Sequence, residues 1–356
     1  MCITSQKDDI LSYDKQSLVR ALSERGLINN RKGEPSLYKA TQVYDWLHGK
    51  RVTDFAQMTN VSAGLRVKLG EHYRIGGLTR LAELKSVDGT VKYLYKAGNA
   101  TFETVLMRYH HGNTVCISTQ SGCRMGCRFC ASAHAGFTRD LTPSEMLLQV
   151  YESERGAGVR VSNVVLMGIG EPFDNFGNVV TFLRILSENG FGMRHVSVST
   201  CGVVPRIYDF ADLGLQSTLS VSLHAVTDEA RDAIMPINRQ YNIAALLQAC
   251  DYFFEKTGRR VSYEFALIDG VNDDDTAASE LARLLSGMAA QRGVVHVNLI
   301  PVNPLAESHG GLVYAKSRRV AQFRDVLMKK GITATIRRTL GGDINAACGQ
   351  LRVAAL

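Results

Sequence analysis

Three cysteines, Cys123, Cys127 and Cys130, fall within the run CRMGCRFC, in a 356-residue chain that has only eight cysteines. Their spacing is C-x3-C-x2-C. Eight cysteines are too few for a disulfide scaffold in a chain this long, so the crowded three read as metal ligands or catalysts. A structural zinc site and a closed iron–sulfur cluster each take four protein ligands. Three thiolates on one loop can instead hold three irons of a cubane and leave the fourth open to chelate a substrate and pass it an electron. Zinc, with His134 or Cys116 as fourth ligand, is the competing reading, although this spacing is not a usual zinc-knuckle pattern.

A loop of this kind needs a rigid frame. Residues 1–80 predict a small helical domain. Asp14 is placed to cap KQSLVRALSERG, which stops at Gly26, and YKATQVYDWLHGK puts Ala40, Val43, Tyr44 and Leu47 on one face. From residue 81 the period changes. LAELKSV and TVKYLYKA flank Asp88-Gly89, a hairpin signal, and FETVLMRY follows, so 81–112 predicts a β-extension. Six nearly all-apolar β runs then alternate with helical stretches: 115–119, 164–168, 195–200, 217–224, 262–268 and 296–302. That alternation predicts an α/β core, a partial (β/α)6 barrel over 113–305, with a C-terminal segment after it. Chemistry in such folds collects at the C-terminal ends of the strands. The unusual residues lie there: the cysteine loop, the run Gly168-Ile169-Gly170-Glu171-Pro172, Ser199, Ser222, His224 and Asn303.

Composition sets outer limits. Apolar residues make up 45% of the chain and no apolar run approaches the roughly 20 residues that span a bilayer. The first residues, MCITSQKDDILSYDKQ, lack a secretion signal, so a cytoplasmic protein is expected. A formal charge of +7 favours a polyanionic partner.

C-x3-C-x2-C after the first strand of a βα series resembles the signature of radical S-adenosylmethionine (SAM) enzymes. More closely, the chain resembles the RlmN/Cfr family of radical SAM RNA methyltransferases. CISTQSGCRMGCRFCAS (116–132), MGIGEPFDN (167–175), VSTCGVVP (198–205), SLHA (222–225), MPIN (235–238), NLIPVNP (298–304) and DINAACGQLR (343–352) carry the likeness. The resemblance implies a [4Fe–4S] cluster on Cys123, Cys127 and Cys130 and two SAM molecules consumed per turnover. It places SAM against Gly170, Glu171, Ser199, Ser222, Leu223, His224 and Asn303. It makes Cys348 a methyl carrier and Cys116 the thiol that later forms a disulfide with it. Glu103 matches a carboxylate proposed to accept the ring proton, a task that Cys116 could share.

The implied substrate is an adenosine of 23S ribosomal RNA, with some tRNAs as further substrates and an electron donor such as a flavodoxin. Pro172 and the VNP and CGVVP runs favour methylation of carbon 2, as in RlmN-type members, over carbon 8, as in Cfr-type ones. A non-catalytic, zinc-stabilised RNA-binding protein is the reading from another class. Cys2, Cys201 and Cys250 read as structural. The chain departs from the family at Thr41, which cannot neutralise a phosphate, at Asp140 and at Phe173-Asp174. The last two departures are expected to touch no residue that does chemistry.

Overall fold

The computed structural model describes residues 7–30, 32–134, 136–286, 295–302, 317–347 and 349–351, so Asn303 and Cys348 lie outside the described residues. Short polar side chains start the N-terminal helices. Asp14 Oδ1 accepts from the Ser17 amide at 2.8 Å and opens α1 (Lys15–Glu24). Ser36 caps α2 (Leu37–Tyr44), and α3 (Ala63–His72) completes the trio. Ala40, Val43, Tyr44 and Leu47 are all buried, as the helical period requires. A two-residue parallel pair, β1 (Asp8–Asp9) and β2 (Tyr73–Arg74), ties the two ends of this region together.

The remainder is built on one ten-stranded sheet. β3 (Thr79–Lys85), β4 (Val91–Ala97) and β5 (Ala100–Tyr109) are antiparallel and pass into β6 (Gly112–Cys116). A separate hairpin, β7 (Gln120–Gly122) with β8 (Phe137–Asp140), brackets the cysteine loop and the short helix α4 (Ala131–His134). The parallel series continues through β9 (Val161–Leu166), β10 (Val196–Thr200), β11 (Thr218–Ser222), β12 (Val261–Leu267), β13 (Val295–Pro301) and β14 (Thr333–Ile336). Its order runs β14-β13-β12-β11-β10-β9-β6-β5-β4-β3, so β14 and β3 are the two edges and the barrel is open. The six β runs read from sequence all lie in this series, and β14 is a seventh parallel strand.

Helices α5 (Pro143–Ala157), α6 (Phe176–Glu188), α7 (Val204–Asp212), α8 (Asp228–Ile234), α9 (Ile243–Thr257), α10 (Asp275–Leu284) and α11 (Val320–Lys329) connect the strands. One expectation is corrected: several parallel strands are not apolar on both faces. Val196, Val198 and Thr200 of β10 are buried while Ser197 and Ser199 between them are half-buried, and β13 alternates in the same way. Residues such as Val198, Leu219 and Val297 pack into the main core, whereas Ser197, Ser220 and Asn298 line a solvent-open chamber. No helix among the described residues is long and apolar enough to cross a membrane.

Candidate active site

The cysteine loop and the glycine run are held to each other by backbone. After β6 the chain stays extended, and the amides of Thr119 and Gln120 donate to the Ile169 carbonyl at 2.9 and 3.2 Å. Ser118 Oγ accepts from Ile169 N, and Gln120 Oε1 accepts from Glu171 N at 2.8 Å. This close approach explains the glycines. A Cβ on Gly168 would sit 2.6 Å from the Ile117 carbonyl oxygen, and Gly170 has a φ of +104° with Gln120 against it.

The loop therefore opens onto a cleft at the C-terminal ends of the strands. Its empty volume, solvent mouth included, is ≈ 950 Å³. Cys123, Cys127 and Cys130 line it together with Gly170, Glu171, Ser199, Ser222 and His224. Leu223 does not: its side chain is in the core, and only its backbone takes part, with its amide donating to the Glu264 carbonyl. Of the nine SAM-facing and cluster residues just named, all but Leu223 are brought to one rim by segments distant in sequence.

Electrostatics distinguish the members of this rim. Burial pushes the Cys123 thiol up to about 12 and the Cys127 thiol well above its ordinary value. Thiolates so placed require cations to offset them, and metal loading must release protons. Burial raises the Glu171 carboxyl as well, against two backbone donors, Cys201 N at 2.7 Å and Phe173 N at 2.9 Å. His224 is held neutral, its imidazole lowered to about 3 by burial and then by Arg231. Its Nδ1 accepts from Ala266 N at 2.9 Å, which leaves the Nε2–H as the group it can offer a ligand. The ring meets Phe129 of the cysteine loop edge to face, at 4.8 Å.

Soft thiolates on one rim suit an iron–sulfur cluster by donor type. The donors for a fourth protein ligand are elsewhere. His134 Nε2 lies 3.2 Å from the Arg128 carbonyl, and Cys116 faces a different cavity. Among the described residues no three or more His, Cys, Asp or Glu side chains are gathered closely enough to hold one metal ion. A cluster asks for donors that each meet their own iron, rather than for convergence on a single ion.

The second cavity, ≈ 510 Å³ with its open mouth included, is lined by Cys116, Val105 and Met107 on one side and by Ala346, Ala347 and Leu351 of the C-terminal segment on the other. Gly349 lines the first cleft, and its carbonyl accepts from Ala131 N at 2.8 Å, so the residues flanking Cys348 face the two cavities. Met167, Ile300 and Arg337 line both. Glu103 lines neither. It is buried on β5, and its Oε1 lies 3.1 Å from Lys92 Nζ, which also donates to the Asn345 carbonyl at 3.1 Å.

Comparison with known proteins agrees in all parts of the chain. The Radical SAM superfamily pattern matches residues 117–282, and that of the ribosomal RNA large subunit methyltransferase N-terminal domain matches 30–75. A protein of Lachnoclostridium phytofermentans described as a probable dual-specificity RNA methyltransferase RlmN is 51% identical over 322 residues, 88% of each chain. A namesake from Clostridium perfringens strain 13 is 44% identical over 351 residues, 97% of this chain and 96% of its own. The crystal structure of a radical SAM methyltransferase from Sphaerobacter thermophilus superposes with a TM-score of 0.86 at 39% identity. That match covers 98% of this chain and 100% of the other.

The chain belongs to the RlmN family of radical SAM RNA methyltransferases.

Two supports of this RlmN-family site were not read from sequence. Arg231 on α8 is fully buried under the cleft. Its guanidinium donates to the carbonyls of Cys201 (2.8 Å), Ser222 (2.9 Å) and Leu223 (3.1 Å) and to Asn238 Oδ1 (2.9 Å), so it clamps the ends of β10 and β11. Its acceptor Asn238 belongs to the MPIN run, which was the available signal. Cys201 lines the cleft rather than serving the core alone. Asp140 Oδ1 and Asp174 Oδ2 both accept from Gln120 Nε2 at 2.8 Å, and Gln120 positions Glu171, so these two side chains reach the site only through an intermediate residue. The Phe173 departure is the exception to the expectation, because its backbone amide donates directly to Glu171 at 2.9 Å.

Proposed function

We propose that the enzyme methylates carbon 2 of an adenosine in 23S ribosomal RNA, and the adenosine just 3′ of the anticodon in some tRNAs, with Cys348 as methyl carrier. The observation that carries this reading is the shared wall of two cavities. The loop thiols line one, Cys116 lines the other, and Ala347 and Gly349, on either side of Cys348, line one each. The relatives are described as dual-specificity RNA methyltransferases, which fits a ribosomal and a transfer RNA substrate.

Cys123, Cys127 and Cys130 would hold a [4Fe–4S] cluster with one iron left for SAM. When bound and reduced by a donor such as a flavodoxin, the cluster with SAM supplies a 5′-deoxyadenosyl radical, while a separate SAM supplies the methyl group. Gly170, Glu171, Ser199, Ser222, His224 and the backbone of Leu223 form the SAM cradle, with Asn303 assigned to it by motif. The neutral His224 can donate from Nε2 without adding charge beside a sulfonium.

Carbon 2 of adenine is electrophilic and has no acidic hydrogen, which puts it beyond an ordinary polar methyl transfer, and by family motif the methyl carbon is assigned to the sulfur of Cys348. Cys116 lines the cavity and is assigned the disulfide with Cys348 that frees the product. Glu103 lies two residues from Val105 on the same face of β5, and Val105 is the register partner of Cys116. Glu103 or Cys116 takes the ring proton, and of the two it is Cys116 that lines the cavity. Only an unpaired or extruded adenosine can present its edge to such a cavity.

Nucleosides from RNA treated with the anaerobic enzyme, a reductant and SAM test this reading by mass spectrometry. 2-Methyladenosine is expected, and none from Cys348→Ala. 8-Methyladenosine in its place would overturn the carbon-2 assignment, and full turnover by Cys348→Ala would overturn the carrier.

A further inference from the structure

Closed parallel barrels fill their interiors with bulky apolar side chains. This one does not. Asn163, Ser197, Ser220 and Ser262, on four neighbouring strands, line a solvent-open chamber of ≈ 1030 Å³, its mouth included, at the N-terminal side of the sheet, opposite the cysteine rim. Met167 and Arg337 line this cavity and both of the others, so they form a waist between the lower chamber and the cavity of Cys116.

The mouth of the lower chamber is strongly basic. Arg194 precedes β10 and Arg260 precedes β12, and both line the cavity. Beside them Arg259 carries a buried Nε with no hydrogen-bond partner, and its pKa is lowered by burial and by repulsion from Arg194 and Arg260. None of the three meets a carboxylate among the described residues, whereas Arg206 pairs with Asp209. Three guanidiniums held together without an anion cost free energy unless a polyanion is the missing partner.

We infer that this mouth binds the phosphate backbone of single-stranded RNA and that the target adenosine enters from below, passing the small polar side chains to reach Cys116. The inference rests on the RNA-methyltransferase reading above. β6 rises from Gly112 to Cys116 over roughly 13 Å at about 3.3 Å per residue, a depth suited to one extruded nucleotide and closed to a duplex.

The test is RNA affinity across a salt series, read by fluorescence anisotropy with a labelled anticodon stem-loop and a labelled 23S fragment. Arg194→Gln/Arg260→Gln should weaken binding about tenfold and lower the slope of log K against log salt by roughly 1.4, about 0.7 per lost phosphate contact. Arg194→Lys/Arg260→Lys should restore the slope, and Arg206→Gln on α7 should leave it unchanged. RNA-independent cleavage of SAM should be equal in all four proteins, which reports an intact fold and cluster. An unchanged slope in the Gln variant, with wild-type methylation intact, would overturn this inference alone. Absence of methylation by the wild type would instead overturn the functional reading.

Discussion

Acidification from pH 7 to pH 5 should loosen the contact between the N-terminal helices and the barrel through one side chain, His48. It is 2% exposed, with Nδ1 3.3 Å from the Tyr151 hydroxyl of α5 and its ring 4.5 Å from that of Tyr44. Burial first, and then the nearby Arg51, lower its pKa to about 3, from an ordinary 6.5. A depressed histidine binds fewer protons folded than unfolded, so its contribution is intact above pH 6.5 and is lost as pH falls toward 3. At pH 5 the loss is about 2 kcal/mol, from about 1.4 kcal/mol for each pH unit between 6.5 and 5. Buried carboxyls such as Glu171 and Glu264, raised by burial, work in the opposite direction, so the quantity to measure is a difference between proteins. Trp46, the only tryptophan, stands two residues away and reports unfolding by fluorescence in urea. Between pH 7 and 5 the wild type should lose about 2 kcal/mol more than His48→Gln. Equal losses would refute the reasoning that this imidazole is held neutral by burial.

Other substitutions follow from single contacts. Arg231→Met strands the carbonyls of Cys201, Ser222 and Leu223, at about 1–3 kcal/mol for each group left unsatisfied. It should lower the melting temperature and the iron retained after anaerobic desalting. Gly170→Ala forces a side chain into a left-handed backbone position 2.6 Å from Gln120, and calorimetry should register weaker SAM binding with the cluster still assembled. Lys92→Met leaves the buried Glu103 without this cation, a change that costs roughly 3–5 kcal/mol when a buried pair is broken. Urea titration should show that loss, with Lys92→Arg recovering part of it.

Much of this site could be read from residue type and order. The three loop thiols, the Gly-Ile-Gly-Glu run and the strand-end Ser199, Ser222 and His224 share a rim because parallel strands deliver their C-terminal ends to one side. Features that depend on partners distant in the chain were not legible. Arg231 reads as one more charge on an amphipathic helix until four acceptors are found around it. Asp140 and Asp174 look unrelated at a separation of 34 residues, yet one glutamine amide joins them. Reading VSVST and TLSVS as nearly all-apolar passes over their serines, because an inner face left open to solvent is a property of the whole sheet and not of any one strand. The strand Thr333–Ile336 has only four residues, too few for a periodic signal.

Iron and acid-labile sulfide in protein purified without oxygen give the most direct test of the account. The wild type should carry about four of each per chain, and Cys123→Ala, Cys127→Ala and Cys130→Ala should each lose the cluster. Stoichiometric zinc with no sulfide, or a full cluster in any of the three variants, would contradict it.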